Sequence, residues 1–233
     1  MSGGALFGEN PGERARSLGV VVLGETPSDH VKEMRNWIPA EIVEVGVLDG
    51  LSASERETLE PATADDLLIA ECQAGHVAYV GCAAAGIRIQ HCVDRLEQHD
   101  VAATLIACTG HFAEVHHNRP LLFAEKLVHA GVTALAEGAT LGLLIPDARQ
   151  ANSVRKNWSW WKGDILTAAA YPGEDVTRAA FSLEGNGAQV IVLLCMGYNL
   201  ATQEAAQKRL TIPVLLARSL AARIAGEFVA GVG

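Results

Sequence analysis

The sequence predicts an α/β protein made of two similar halves, and three observations carry that expectation. Short apolar runs alternate with helix-like stretches along the chain, the pattern of a sheet joined by crossover helices. Hydrophobic residues make up 49% and aromatic ones only 5%, so small aliphatic side chains dominate, as they must where helices pack on a buried sheet. One short motif also occurs twice. LIACTGH (105–111) and VLLCMGY (192–198) each run a buried strand into Cys-X-Gly and then a ring side chain.

In order along the chain, LGVVVLG (18–24) reads as a buried strand, followed by ETPSD, whose Ser28 or Asp29 suits the cap of a helix through Trp37. EIVEVGVL (41–48) is a second strand, with a short helix opening at Ser52 or Ser54. LLIAECQAGHVAYVG (67–81) has two alternating runs about a Gln-Ala-Gly turn, which predicts a β-hairpin. An amphipathic helix over 81–100 and a buried strand over 103–108 follow. The rhythm then repeats: helix over 121–135, strand over 140–146, and a helix over 147–163 started by Asp147. A strand over 165–171, a helix over 175–188, a strand over 189–195 and a helix over 199–210 come next. A short strand and a helix close the chain over 212–231, and the seam between halves is expected near residue 115.

The duplicated motif puts Cys108 and Cys195 at the carboxyl ends of strands, where open α/β sheets bind ligands. Either cysteine alone reads better as a buried core residue. As a pair facing one another across a crevice, a thiolate and a thiol suit proton transfer on opposite faces of a carbon acid. Free N–H groups of the turns that follow are expected to favour the thiolate. Developing enolate charge needs donors beside it. Backbone N–H groups of Thr109, Gly110, Met196, Gly197 and Tyr198 stand at the right place, with the hydroxyls of Thr109 and Tyr198 and the amide of Asn199 in addition. Such chemistry requires no cofactor and no metal.

Composition excludes several other classes. The net charge is −9, with no basic stripe, which argues against nucleic acid or an anionic membrane as partner. No run reaches the roughly 20 apolar residues of a spanning helix. Residues 1–16, rich in Gly and charge, read as a disordered lead-in and not a secretory signal. A cytoplasmic location follows as the expectation, and there five cysteines, an odd number, are thiols.

The strand–Cys–small–Gly pairs at Cys108 and Cys195, with LGETP, LLIAECQAGHVAYV, GLLIPDARQ, QVIVLLCMGY and IPVLLARSLAARIA, resemble the aspartate/glutamate/hydantoin racemase superfamily and, within it, the AroM-like family. The resemblance runs from Leu18 to Val229. It implies two Rossmann-like parallel-sheet domains related by a pseudo-twofold, with the active site in the cleft between them. The division expected is 17–114 with 212–233 as one domain and 115–211 as the other. The activity implied is a cofactor-independent racemase or epimerase, acting on a small carboxylate- or amide-containing substrate. One-cysteine decarboxylation or cis–trans isomerisation, and a non-catalytic small-molecule-binding role, stand as alternatives. The motifs depart from the superfamily racemases in detail. Thr109-Gly110 follows the first cysteine where a polar pair such as Asn-Thr is usual, Met196 replaces a hydroxyl residue after the second, and the ring near the second is Tyr198, while His111 follows the first.

In this architecture Thr26 and Ser28 come to the crevice, where they would bind a substrate carboxylate; helix capping is the competing role for Ser28. Asp147 reads better as a cap than as an acid. Cys108, His111, His116 and His117 lack the second ligand pair of a zinc site, so only His111 is expected at the crevice. Cys72, Cys82 and Cys92 read as small buried hydrophobes. Trp158, Trp160 and Trp161 read as core packing or a subunit contact, compatible with a homodimer.

Overall fold

The computed structural model describes residues 17–230, and the expected lead-in 1–16 lies outside the described residues. The chain runs β1 (Leu18–Val22), α1 (Asp29–Met34), β2 (Ile42–Gly46), α2 (Ala53–Glu57), β3 (Leu67–Glu71), β4 (Val77–Gly81), α3 (Cys82–Gln98), β5 (Ala103–Ile106), β6 (Leu121–Phe123) and α4 (Ala124–Ala136). It continues with β7 (Leu141–Ile145), α5 (Ala151–Asn157), β8 (Ile165–Ala169), α6 (Thr177–Gly185), β9 (Val190–Leu193), α7 (Leu200–Gln207), β10 (Val214–Leu216) and α8 (Ala217–Ala230). Two four-stranded parallel sheets result, in the orders β2-β1-β5-β6 and β10-β9-β7-β8. Read as β8-β7-β9-β10, the second sheet repeats the first strand for strand, which is the pseudo-twofold.

Side-chain alternation along each strand builds three layers of core. Leu18, Val20 and Val22 of β1 share one apolar cluster with Leu141 and Leu143 of β7, Val128 and Val132 of α4, and Ala221 and Ala225 of α8. Val21 and Ile106 point to the opposite face and pack with Ile89, Val93 and Leu96 of α3. Leu144, Ile191 and Leu193 do the same against Ala180 and Leu183 of α6. The central cluster therefore joins the two sheets through α4 and α8, and holds their carboxyl ends facing a common cleft. Each fully buried Leu or Val contributes on the order of 1.5–3 kcal/mol by leaving water.

Two strands redraw the division expected from sequence. Leu121–Phe123, read there as the start of a helix, pairs in parallel with β5 as an edge strand of the first sheet. Val214–Leu216, assigned there with the first half, pairs with β9 in the second sheet. The first is a three-residue apolar run that passes directly into a helix, too short for period 2 and period 3.6 to be told apart. The second is a strand as expected, but its sheet is decided by pairing that its own residues do not reveal. The helix that follows each one, α4 or α8, packs against the other.

The hairpin forms as expected, with Leu67 opposite Gly81 and Glu71 opposite Val77. It stands outside both sheets and spans the cleft. The Glu25 N–H donates to the Glu71 carbonyl at 3.2 Å and the Gln73 N–H to Glu25 Oε2 at 2.8 Å. From the second half, Gln150 Nε2 donates to the Leu67 carbonyl at 3.1 Å. The short α2 is held by its cap. Ser52 Oγ accepts from the Glu55 N–H at 3.4 Å and Glu55 Oε2 accepts from the Ser52 N–H at 2.8 Å, a capping box of about 1 kcal/mol. Among the described residues no helix is long and apolar enough to cross a membrane.

Candidate active site

Cys108 and Cys195 follow β5 and β9, the equivalent strands of the two sheets, and the backbone folds back on each sulfur in the same way. The Gly110 N–H donates to Cys108 Sγ at 3.2 Å, and the Gly197 N–H to Cys195 Sγ at 3.3 Å. Close approach holds Gly197 to glycine, against a proline ring, whereas the side-chain tip that faces Gly110 is free to shift. A Cβ on Gly110 would stand 2.7 Å from Leu68 Cδ2, and one on Gly197 2.8 Å from Pro172 Cγ. The two turns abut, since the Thr109 hydroxyl donates to the carbonyl of Leu194, the residue before Cys195, at 3.4 Å. Both cysteines line a cavity of about 460 Å³ between the halves, beneath the hairpin.

The electrostatics correct one expectation. Burial pushes both thiols above their ordinary range and outweighs the N–H groups of Gly110 and Gly197, which pull the other way. Neither cysteine opens a helix directly, since α4 begins at Ala124 and α7 at Leu200. The two surroundings also differ. Cys195, Cys82 and Glu125 oppose a thiolate at Cys108, whereas the Arg218 guanidinium favours one at Cys195 and Glu71 opposes it.

Two pairs of charged groups in the cleft were not anticipated. His30 Nε2 lies 2.5 Å from Glu71 Oε2, linking α1 to the end of β3, and His30 holds the Glu71 carboxyl below its usual range. Arg218, only 3% exposed, donates through Nε to the Met196 carbonyl at 2.6 Å and through Nη1 to Glu33 Oε2 at 2.6 Å. Glu33 Oε1 accepts the Leu200 N–H at 3.1 Å. Among the described residues Nη2 of Arg218 has no hydrogen-bond partner. A cation in the first turn of α8 runs against the helix dipole, so Glu33 is what makes its position tenable. That was the available signal: an Arg in the first turn of the closing helix, on the unfavourable end of its dipole. His30 and Glu33, on the first exposed turn after the first strand, gave a weaker one.

The remaining candidates divide. Thr109, Gly197 and Asn199 line the larger cavity, and Gly110 and His111 line a smaller one beside it. Thr26 does not reach either, since its N–H and hydroxyl both donate to the Asp49 carboxylate at 2.8 Å. Ser28 caps α1, accepting from the His30 N–H at 3.1 Å, and lines neither cavity. Tyr198 is fully buried, its hydroxyl donating to the Ala170 carbonyl at 2.6 Å, so it supports the turn from behind. Asn199 caps α7 through Oδ1, which accepts from the Thr202 N–H at 2.9 Å. His111 is exposed and pairs through Nδ1 with the buried Glu125 at 3.0 Å. Asp147 caps the turn Ala148–Gln150 and pairs with Arg149.

Cys92 is buried as expected, but Cys82 is half-buried at the smaller cavity, its thiol donating to the His111 carbonyl at 2.7 Å and pushed up to about 11 by burial. Trp158 and Trp161 are core residues, with Trp160 stacked on Trp158 at 5.5 Å between ring centroids. Among the described residues no group of three or more His, Cys, Asp and Glu side chains is placed to hold a metal ion.

A duplicated α/β fold with a cysteine at the same turn of each half, both opening on one cleft, defines the class of protein. The chain belongs to the AroM protein family, which matches residues 18–229. Its fold is similar to that of a double mutant of arylmalonate decarboxylase in the liganded form, with a TM-score of 0.62 at 13% identity over 94% of each chain. It is similar also to the aspartate racemase of Picrophilus torridus, with a TM-score of 0.61 at 13% identity, covering 92% of this chain and 94% of that one. The allantoin racemase of Pseudomonas fluorescens gives 0.60 at 17% identity, covering 92% and 91%. A search of curated proteins gives no match.

Proposed function

We propose that the chain is a cofactor-independent racemase or epimerase of a small carbon acid, with Cys108 and Cys195 as its opposed acid/base pair. The observation that carries this reading is the matched pair of Cys-X-Gly turns, each with a glycine N–H on its sulfur, lining one cavity. The names of its structural relatives, two racemases and a decarboxylase, lie in the same field of chemistry. In this reading the Nη2 of Arg218 receives the substrate carboxylate. Cys195, the thiol beside that cation, starts as thiolate and takes the hydrogen from the adjacent carbon. The C–H electron pair passes into the carboxylate as an enediolate, which Arg218 and the N–H groups of the turns stabilise. The Cys108 thiol then delivers its proton to the opposite face, leaving Cys195 as thiol and Cys108 as thiolate, and the reverse reaction restores them.

The test is exchange of the Cα hydrogen in deuterated buffer, followed by NMR over amino acids, hydantoins and hydroxy acids. Two-base racemisation predicts that Cys108→Ala and Cys195→Ala each lower exchange and inversion by at least about a hundredfold. A second reading, decarboxylation or isomerisation with one cysteine, is favoured by the unequal surroundings of the two sulfurs. It predicts turnover that survives Cys108→Ala and is lost in Cys195→Ala. Ligands that raise the melting temperature in both variants, with no turnover by the wild type, would leave only a binding role.

A further inference from the structure

The larger cavity carries its charge unevenly. Asp29, Glu33 and Glu71 line it with carboxylates, against the single guanidinium of Arg218 and the imidazole of His30. Glu33 is spent on Arg218 and the Leu200 N–H, and Asp29 is exposed in the first turn of α1. Glu71 differs from both. Its Oε2 pairs with His30, but its Oε1 has no hydrogen-bond partner among the described residues. The Glu71 side chain is 42% exposed against 13% for His30, so the accessible side of the pair is a carboxylate. Arg218 favours ionisation of this carboxyl, yet among the described residues no ion pair joins the two. A gap therefore separates the free Nη2 of Arg218 from the free Oε1 of Glu71, and both cysteines line the same cavity. Neither of these two atoms belongs to the buried, unpartnered set, so each keeps accessible surface. A ligand that spans the gap has to present an anion at one end and a donor, best a cation, at the other. A second carboxylate finds no such seat. The remaining donors are neutral: the Tyr171 phenol, which burial keeps protonated, and the amide nitrogen of Asn199. In the smaller cavity the exposed Lys156 is answered by Asp65 and Asp66, and His111 by the buried Glu125, so no excess of positive charge stands there either.

We infer that Glu71 sets the charge of the substrate: it receives an ammonium or guanidinium group of a monocarboxylate whose carboxylate lies at Arg218, and it turns away molecules with a second carboxylate. The inference rests on the reading of this cleft as a carbon-acid site with its carboxylate seat at Arg218, and it narrows the substrate to a zwitterion. Glu71 is then a specificity residue, one that contacts the substrate but moves no proton. The same contact bears on the base. Besides burial, Glu71 is the group that opposes a thiolate at Cys195, and a ligand cation beside it cancels that opposition.

The experiment is calorimetric titration of the full chain with acids that share a methylene chain and differ at its far end. The probes are the amino acids from glycine to 5-aminopentanoate, the matching fatty acids, and the matching diacids from malonate to adipate. At the length that fits, the amino acid is expected to bind at least about tenfold more tightly than the fatty acid, and the diacid more weakly than either. Glu71→Gln keeps the shape and removes the charge, and should bring the three within about threefold of one another. The diacid should gain affinity in that variant, which a merely structural defect would not produce. Asp29→Asn, which neutralises the exposed carboxylate of the same cavity, should leave the ranking as it is. Equal affinities in the wild type, a diacid that binds best, or a ranking that survives Glu71→Gln would each overturn the inference. A ranking lost in Asp29→Asn would overturn it as well, and binding of no probe would remove the seat at Arg218 and the inference with it. If Glu71→Gln does not fold, the wild-type ranking and Asp29→Asn decide. The hydrogen-exchange assay separates this outcome from that of the proposed function. A preference for the amino acid without dependence of exchange on the cysteines removes the catalytic assignment alone. Exchange that needs both cysteines with a flat ranking removes the Glu71 assignment alone.

Discussion

The turn after β5 and the turn after β9 share a backbone but not a neighbourhood. Each folds a glycine N–H onto its cysteine sulfur at nearly the same distance, 3.2 and 3.3 Å. Around Cys108 stand Cys82, Glu125 and the tip of Leu68; around Cys195 stand Arg218, Glu71 and Pro172. The residue after Cys108 sends its hydroxyl across to the other half, while the residue after Cys195, Met196, is buried and lends its carbonyl to Arg218. Duplication of a fold thus delivers two equivalent thiols to one cleft. Side chains that differ between the repeats, above all Arg218 where the first half has Glu125, and the hairpin that the second half lacks make them unequal.

The largest effect that tests this inequality comes from Arg218→Met. Arg218 is almost fully buried and joins α8 to α1 through Glu33, which the variant would leave as an uncompensated carboxylate. Breaking such a pair from one side costs about 3 kcal/mol, which should appear as a lower urea midpoint. Glu33→Gln in the same background should restore part of the loss, because the stranded charge is then gone. A midpoint unchanged in Arg218→Met would show that the pair contributes nothing to the join between the halves.

A smaller effect concerns the thiols themselves. A thiol alkylates as its thiolate, so iodoacetamide followed by peptide mass mapping reads the two sites separately. Cys195 is the more exposed and has the cation beside it. It should react at least about tenfold faster than Cys108. Burial holds both pKa values above the ordinary one, so both rates should still be rising at pH 9, where a free thiol approaches its plateau. Removing the Arg218 charge takes away a group that lowers the Cys195 pKa, so the Cys195 profile should move to higher pH in Arg218→Met while that of Cys108 stays. Equal rates at the two sites would erase the distinction drawn between the turns.

The contrast also explains what the sequence could disclose. The two cysteines, the glycines behind them and the hairpin were legible because each is a local pattern: an apolar run, a cysteine, a glycine two residues on. The long helices and all the longer strands were legible for the same reason, through their periodicity. What escaped is whatever depends on contacts across the cleft. Nothing local distinguishes His30 from Ser28, two residues earlier, yet one faces the cavity and the other caps α1. Glu71 becomes a cleft residue only once the hairpin is seated. The edge strand β6 was misread because three apolar residues carry no period, and β10, expected as a strand, was assigned to the wrong half because sheet membership is set by contacts and not by local pattern.

The smallest effect belongs to the ring that follows each glycine, the position where sequence similarity between the halves misled most. Tyr198 is fully buried and its hydroxyl donates to Ala170 at 2.6 Å, whereas His111 is exposed and pairs with the buried Glu125. Tyr198→Phe keeps the ring and leaves the Ala170 carbonyl without that donor, a loss of about 1–2 kcal/mol. His111→Ala takes the partner from the buried Glu125 carboxyl and should cost about 1–2 kcal/mol as well, for a different reason. Because Tyr198 lines neither cavity, the phenylalanine variant should keep the ligand affinities of the wild type. If ligand affinity fell while stability held, the hydroxyl would have to reach the cleft, and the ring would belong to the site instead of to the core behind Cys195.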